Sequence, residues 1–428
     1  MNDTSFGTGS RILHDQEGSI NSNKIYNSIY CGDNLTILKH LLDDYSSKVD
    51  MIYIDPPYNT GKDFTFRDSF KHDRYKKLPL LKEVGATDPH SLWRQFMTPR
   101  LEKSRELLAD CGLIFISIDD NELHNLRTIM NEIYGDQNFI ATLVRQSGVA
   151  PRQDAKHVAI QHDYVVIYAK NANSAVINRK PSALKGFVLE DDHIEVRGCY
   201  RLNKLDRGSI RYSDSLDYPI TAPDGNEVWP GGDPSDRKWT WRWSQTKVAW
   251  GIENDFIVFK KSRDGKPSVY FKEYEKVDNQ CRPKVRTNPY STLIRGCPNE
   301  KGNRELKTLF KRRVFDYPKP VDLIKLLLKM GTRKNSLVLD FFAGAGSTGH
   351  AVWALNREDG GSRRFILAQL DEPVLDEDVE KDFPTVADIT VERMRRVAHQ
   401  YTNLEFENDE CGFDVFRVAD QNPPPESS

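Results

Sequence analysis

The 428-residue chain contains no apolar run approaching the roughly 18 residues that a membrane-spanning helix requires, so an integral helical membrane protein is not expected. Its first residues, MNDTSFGTGSRILHDQEGSINSNK, lack the basic n-region and apolar h-region of a secretory signal. The six cysteines (Cys31, Cys111, Cys199, Cys281, Cys297 and Cys411) form no C-x-x-C pair. They read as free thiols of a reducing, cytoplasmic compartment, and no zinc or other metal site is implied. Net charge is small as well, −2, which by itself argues against a strongly basic nucleic-acid binder. The local balance differs: residues 171–313 carry an excess of about nine positive charges, and residues 371–428 an excess of about eleven negative ones. A basic middle is what a phosphate-tracking surface requires, and it is equally what unevenly spread solvated charge produces.

What is present is an ordinary globular composition, 38% hydrophobic and 29% charged, long enough for two or three domains. Residues 1–24 are polar and rich in Ser, Asn and Gly, and are expected to be disordered. From Ile25 to about residue 170, strand and helix patterns alternate. IYNSIYCGD, VDMIYID and GLIFISIDD read as strands. NLTILKHLLDDY, LWRQFMTPRLEKSRELLADCG (with Gly112 as its stop) and NELHNLRTIMNEIYG read as helices. Periodicity weakens over 171–310, which holds five of the seven tryptophans and reads as an inserted domain. Regular α/β signals return over 311–420, and 421–428 form a tail. Alternation on both sides of the insertion predicts one doubly wound, mostly parallel sheet in an α/β fold.

Two motifs carry chemistry. In VLDFFAGAGSTG (338–349) a strand leads into a glycine turn and a helix start, and Gly344, Gly346 and Gly349 match G-x-G-x-x-G. Helix N-terminal amides suit a pyrophosphate or a methionine carboxylate, so the loop alone leaves a dinucleotide site, an S-adenosylmethionine site and a plain tight turn open. The G-K-[ST] ending of a nucleoside triphosphate loop is missing. An acid at the end of the following strand, RRFILAQLDE, would bind ribose hydroxyls in either cofactor class, and Asp371 and Glu372 stand there.

The second motif, MIYIDPPYNTG (51–61), places Asp55 at the carboxyl end of a buried strand, where open α/β sheets bind ligands. Pro56 and Pro57 fix φ and have no N–H, leaving rigid carbonyls without local donors. A carboxylate and a proline carbonyl together accept both hydrogens of an exocyclic amine and hold its lone pair toward an electrophile. Tyr58 offers a flat face for a base drawn out of a duplex. The plainer alternative is a proline-rich turn with Asp as turn former and Tyr as packing. A D-P-P-Y tetrad arises by chance in roughly one chain in several hundred of this length, which weighs against that alternative.

DPPYNTG followed by FAGAG resembles the β-class DNA amino-methyltransferases. IYCGDNLTIL, FMTPRLEKSRELL, GLIFISIDDNELHNLR, HDYVVIYAKN and FDYPKPVDLIKLLL extend the resemblance to the Mod subunits of type III restriction–modification systems and their solo relatives. The resemblance implies a Rossmann-like S-adenosylmethionine-dependent fold with an inserted target-recognition domain. It further implies double-stranded DNA as partner, a bacterial or phage-type cytosol, a homodimer, and N6 of adenine rather than N4 of cytosine as acceptor. It assigns Asp55, Pro56, Pro57 and Tyr58 to the target base. To the cofactor it assigns Asp33, Asn34, Asp55, Lys319, Pro320, Asp340, Phe342, Gly344 and Gly346. Asp33 also reads as a plain helix N-cap before LTILKHLL.

Two departures stand out. Gln369 occupies the strand position where many relatives carry an acid, so the ribose contact is expected to pass to Asp371 or to use the Gln369 amide. The chain also stops ten residues after GFDVFRV, which argues for a solo enzyme over one with a dedicated restriction subunit. In the inserted domain, Trp239, Trp241 and Trp243 alternate as on one strand face and read first as domain core, with Arg242 and Lys247 available for phosphates. GKDFTFRDSFKHDRYKK (61–77) reads either as a loop closing on DNA or as a disordered insertion. The competing functions are a cytosine-N4 methyltransferase, a nicotinamide-dependent oxidoreductase using GAGSTG, and a DNA-binding module without chemistry.

Overall fold

The computed structural model describes residues 10–20, 27–66, 68–70, 88–151, 155, 157–208, 211–261, 265, 267–402 and 411–420. The chain divides into two compact units, Met1–Asn178 with Tyr290–Ser428, and Arg179–Pro289.

The larger unit is built on a ten-stranded sheet. Its strands in chain order are Ser10–Ile20 (β1), Ser28–Cys31 (β2), Val49–Ile54 (β3), Leu108–Ile118 (β4), Phe139–Gln146 (β5), His162–Ala169 (β6), Leu293–Ile294 (β7), Leu337–Asp340 (β8), Arg364–Gln369 (β9) and Phe413–Asp420 (β10). They lie in the order β1-β10-β2-β9-β8-β3-β4-β6-β5-β7. Six neighbouring pairs are parallel, and β1–β10, β4–β6 and β5–β6 are antiparallel.

Helices cover both faces, which is why β3 and β4 are nearly continuous apolar runs. Ile52 and Ile54 face the cluster built with Asn34–Tyr45 (α1), Pro89–Leu107 (α2) and Leu123–Tyr134 (α3). Met51 and Tyr53 face the opposite cluster, built with Val321–Gly331 (α5), Ser347–Asp359 (α6) and Val386–Thr402 (α7). Asn299–Phe310 (α4) buries Leu306 and Phe310 in a smaller cluster with Val386 and Ile389 of α7. This is the predicted doubly wound, mostly parallel, Rossmann-like sheet.

The position of the site follows from the topology. β3 and β8 are parallel neighbours, with Val338 opposite Met51 and Leu339 opposite Ile52. From β3 the sheet continues outward through β4, and from β8 it continues the other way through β9. The carboxyl ends of β3 and β8 therefore flank a topological switch point, the crevice where such sheets bind ligands. The chain places DPPY directly after β3 and FFAGAG directly after β8.

Three sequence expectations change. Ser10–Ile20, expected to be disordered with the rest of 1–24, is an edge strand antiparallel to β10. Its polar sequence hid it because its partner lies some 400 residues away; Asp15 there holds Arg417 at 3.0 Å. The remainder of 1–24 and the tail 421–428 lie outside the described residues. The helix expected to stop at Gly112 ends at Leu107, and Gly112 sits inside β4. There the pairing slips from Val49–Leu108 to Met51–Leu113, and a Cβ on Gly112 would come within 3.0 Å of the Val49 carbonyl. Finally, residues 171–178 and 290–310, expected in the inserted domain, belong to the larger unit. They supply β7 and α4, whose apolar faces pack on that unit rather than on the insertion.

The unit Arg179–Pro289 contains a three-stranded antiparallel sheet of Tyr200–Lys204, Pro267–Tyr274 and Ile257–Lys261, in which the middle strand is Pro267–Tyr274. Trp241 and Trp243 are buried in its core with Phe256, Phe271 and Tyr274, as the core reading expects, whereas Trp239 is half-buried and outside that cluster. Arg207, Arg211, Arg237 and Arg242 are exposed on this unit. Among the described residues no helix is long and apolar enough to cross a membrane.

Candidate active site

A cavity of about 400 Å³ opens at the switch point and brings together residues separated by some 300 positions in sequence. Of the expected residues, Asp33, Asn34, Asp55, Pro57, Lys319, Asp340, Phe342, Gly344 and Gln369 line it, whereas Pro56, Tyr58, Pro320, Gly346 and Asp371 do not.

The turn after β3 is held by contacts its sequence does not announce. The Trp93 indole N–H of α2 donates to the Pro57 carbonyl at 2.7 Å. The buried Asp68 carboxylate accepts from the Tyr58 and Thr60 amides at 2.6 and 2.8 Å. Asn59, at φ 57°, donates to the fully buried Glu122 at 2.6 Å. Among the described residues a hydrogen bond reaches the Pro57 carbonyl and none reaches the Pro56 carbonyl, so the two prolines are not equivalent.

Asp55 is likewise asymmetric. Its Oδ2 accepts from Lys319 Nζ at 2.6 Å, while Oδ1 is buried without a hydrogen-bond partner. A buried unpartnered carboxylate oxygen costs on the order of 1–3 kcal/mol or more, which marks it as an acceptor awaiting a donor. The Lys319 ammonium also lies 4.9 Å from the Tyr58 ring centroid, a cation–π contact. The Tyr58 hydroxyl is buried and unpartnered, and burial, reinforced by the nearby Asp55 charge, pushes its pKa well above the ordinary phenol value. Lys319 and Pro320 precede α5, where Pro320 serves as N-cap. Gly302 of α4 packs against this segment so closely that a Cβ would collide with the Pro318 carbonyl and come within 3.0 Å of the Pro320 nitrogen.

In the glycine loop, Gly344 (φ 53°) and Gly346 (φ 76°) take left-handed conformations, and Gly346 is the N-cap of α6. The loop amides are already engaged: Phe342 N–H on Asp340 Oδ1 at 3.0 Å, Ala343 N–H on the Ala368 carbonyl at 3.1 Å, Gly344 N–H on Gln369 Oε1 at 2.8 Å. From behind, Thr390 Oγ1 of α7 donates to the Gly344 carbonyl and Arg393 to the Ala345 carbonyl, at 2.5 and 3.2 Å. Gln369 therefore shapes the loop. Asp371, exposed beyond the end of β9, turns to Arg417 of β10 at 3.7 Å, and the acid in the cavity wall is Glu372. Asp371, the residue expected beside a ribose, therefore stands outside the cavity and its neighbour Glu372 inside it, because the chain has left the strand and its alternation no longer holds.

The remaining walls combine Asp33 and Asn34, named from the sequence, with Arg100, Phe96, Phe66 and Phe315, which were not. Asp33 caps α1 through Thr36 N–H at 2.9 Å, as its N-cap reading expects, and also lines the cavity. The buried Arg100 binds Asn34 Oδ1 at 2.6 Å and Asp33 Oδ1 at 2.9 Å, and stacks over Phe96. Opposite, Phe66 stacks on Phe315 at 5.2 Å, and Thr65 and Asp316 exchange two hydrogen bonds of 3.0 Å. Phe66 thus brings the 61–77 segment to the cavity; residues 67 and 71–77 fall outside the described residues. The cavity lining has four carboxylates (Asp33, Asp55, Asp340, Glu372) and two cations (Arg100, Lys319). Among the described residues no cluster of His, Cys, Asp and Glu could hold a metal ion.

Asp340 is fully buried; burial, with a smaller contribution from the Asp55 charge, pushes its carboxyl up to about 7. An acid whose folded value is raised destabilises the fold as pH climbs from its unfolded value of 3.8 to about 7, because the unfolded state then sheds the proton first. Asp340→Asn is therefore expected to gain stability relative to the wild type between pH 5 and 8, by on the order of a few kcal/mol. Urea midpoints across that range measure it; parallel pH profiles for the two proteins would contradict the assignment.

Comparison with known proteins agrees with this geometry. The DNA methylase family model N6_N4_Mtase matches residues 49–379. The type III restriction–modification enzyme StyLTI Mod subunit of Salmonella typhimurium is 34% identical over 92% of this chain and 60% of its own length. The EcoPI Mod subunit of Escherichia phage P1 is 32% identical over 92% and 65%, so the chain spans less than two thirds of either Mod subunit. The type II methyltransferase M.KpnI of Klebsiella pneumoniae is 30% identical over 90% of each chain. With its turn after β3 and its glycine loop after β8 meeting in one cavity, the chain belongs to the N6_N4 DNA methylase family.

Proposed function

We propose that this protein transfers the methyl group of S-adenosyl-L-methionine to the exocyclic N6 amino group of an adenine in double-stranded DNA. The observation that carries the reading is the shared cavity: Asp55, with its orphaned Oδ1, and the glycine loop line the same space.

The cavity fits the cofactor. Its carboxylate excess suits a cationic sulfonium, and Phe96, Phe342, Phe66 and Phe315 give it aromatic walls. The amides of residues 342–344 are engaged within the protein and so shape the loop rather than the ligand contact. Lys319, beside the loop, would hold the methionine part; Asp33, Asn34, Phe342 and Glu372 would form the adenosine side. When bound, the cofactor supplies an electrophilic methyl on a positively charged sulfur.

The rest is done by the protein. Asp55 Oδ1 and the Pro56 carbonyl accept the two hydrogens of the target amine and hold its lone pair toward the cavity. Lys319 donates to Asp55 Oδ2 and so leaves Oδ1 to the amine. Tyr58 is the proposed stacking ring for the extruded base. Once the amine is methylated, Asp55 Oδ1 is the nearest acceptor for the proton it sheds. Chemistry of this kind depends chiefly on positioning, which the doubly anchored turn supplies. The unit Arg179–Pro289, with its exposed arginines, is the proposed target-recognition domain. A homodimer is its proposed assembly. A restriction subunit, such as the names of the Mod relatives indicate for those proteins, remains a candidate partner, to be sought by co-purification.

Calorimetric titration tests the cofactor reading. S-adenosylmethionine and S-adenosylhomocysteine are expected to bind and NADH to give no heat. Binding of NADH but of neither adenosyl compound would overturn the proposal in favour of an oxidoreductase.

A further inference from the structure

Helix α2 touches both sides of the cavity with one face. Trp93, Phe96 and Arg100 are spaced i, i+3 and i+7, so they project from the same side of the helix toward the switch point. At the first position, Trp93 is fully buried and its indole N–H reaches the Pro57 carbonyl at 2.7 Å. Two turns later, the Arg100 guanidinium, 5% exposed, reaches Asn34 Oδ1 at 2.6 Å and Asp33 Oδ1 at 2.9 Å. A third Arg100 bond, from Nη1 to the Phe96 carbonyl at 2.8 Å, ties the fork to its own helix. Between them, Phe96 lines the cavity under that guanidinium and lies 6.1 Å from Phe342 of the glycine loop.

Each contact fixes a different object. A carbonyl oxygen moves with its peptide plane, so a donor on the Pro57 carbonyl sets the orientation of the Pro57–Tyr58 peptide. Because the rings of Pro56 and Pro57 hold φ, that restraint is passed back along the turn to the Pro56 carbonyl and Asp55. The fork of Arg100 instead orients the Asp33 and Asn34 side chains. Asn34 has little freedom left, since its Nδ2 donates to the Phe341 carbonyl at 2.8 Å, at the root of the glycine loop. One bond acts on the acceptor side of the cavity, the other on the cofactor side.

We infer that Trp93 and Arg100 are positioning residues for the two partners of the transfer, and that α2 is the element that sets methyl acceptor and methyl donor relative to one another. This rests on the methyltransferase reading above. Neither residue touches the reacting atoms. Trp93 acts through the Pro57 peptide, and Arg100 through Asp33 and Asn34. A purely structural role for the same residues, as core packing of a buried Trp and a buried Arg, predicts a different pattern of kinetic effects, and the two can be separated.

The test uses the full chain, methyl-labelled S-adenosylmethionine and mixed unmethylated genomic DNA. Trp93→Phe keeps an aromatic ring in the core and removes only the donor. It is expected to lower kcat by about tenfold or more and leave KM for S-adenosylmethionine within about twofold. Arg100→Lys keeps the charge but cannot span both acceptors as a fork. It is expected to raise KM for S-adenosylmethionine about fivefold to tenfold with kcat within about twofold. The opposite signatures at two positions on one helix face are the prediction. If both variants instead lower activity only in proportion to a fall in thermal midpoint, or if neither changes kcat or KM, the inference is wrong. Should Arg100→Lys not fold, Asn34→Asp, which keeps the fork's acceptor but loses the bond to Phe341, is expected to give the same KM-type signature, and a kcat-type change there would also overturn it. Wild-type protein that binds S-adenosylmethionine yet transfers no label would instead defeat the methyltransferase reading, and calorimetric affinities would still report on Arg100.

Discussion

Asp55→Ala is expected to lower kcat for methyl transfer by about 10³-fold or more while changing the Kd for S-adenosylmethionine by less than about tenfold. Asp55 Oδ1 is the buried acceptor without a partner. Removal also strands the Lys319 ammonium, whose ion-pair partner at 2.6 Å is gone. A nearly buried cation without a counter-charge is costly, so some loss of stability accompanies the loss of rate. Asp55→Asn separates the two effects. It keeps a carbonyl acceptor but removes the charge, and it should retain more of the fold than of the rate. Single-turnover transfer at saturating cofactor, with calorimetric Kd measured alongside, reads both quantities.

Gly302→Ala is the second change of large effect, at a position no motif marks. The added methyl would collide with the Pro318 carbonyl, a backbone atom that no rotamer change can clear. Either α4 or the Pro318–Pro320 segment must move, at a cost of about 1–3 kcal/mol. The segment carries Lys319, and Val321 N–H just beyond it is capped by Glu305 of the same helix at 3.0 Å. Displacement therefore reaches the Asp55–Lys319 pair, and activity should fall about tenfold or more beyond what the stability loss explains. Activity measured well below the thermal midpoint makes the distinction. Full activity in a folded Gly302→Ala protein would show that the position of Lys319 is not set by α4.

Much of this site could be read from the sequence because its chemistry is local. Asp55 and the two prolines stand at a strand end, and Asp340 leads straight into the turn through Gly346, so residue order alone brings these residues into view. The topology was also accessible, because buried parallel strands and amphipathic helices leave strong periodic signals in β3, β4, α1 and α3. What escaped was everything that depends on distant neighbours. Trp93 and Arg100 look like ordinary members of an amphipathic helix, since nothing in the sequence says which carbonyl an indole N–H will meet. Asp371 and Glu372 could not be told apart because their orientation is decided after β9 has ended. Ser10–Ile20 looked unstructured because an edge strand needs only one apolar face, and its partner is at the other end of the chain. The two proline carbonyls appeared equivalent until the Trp93 bond distinguished them.

The central claim is that the turn after β3 and the loop after β8 form one active site for methylating an adenine amine. Nucleoside analysis of unmethylated double-stranded DNA incubated with the wild-type protein and methyl-labelled S-adenosylmethionine tests it most directly. The predicted result is label in N6-methyladenine, absent when Asp55 is replaced by Ala. Label in N4-methylcytosine would move the acceptor to the other amine within the family. Absence of label in DNA despite bound cofactor, or undiminished labelling by the Asp55→Ala protein, would contradict the account.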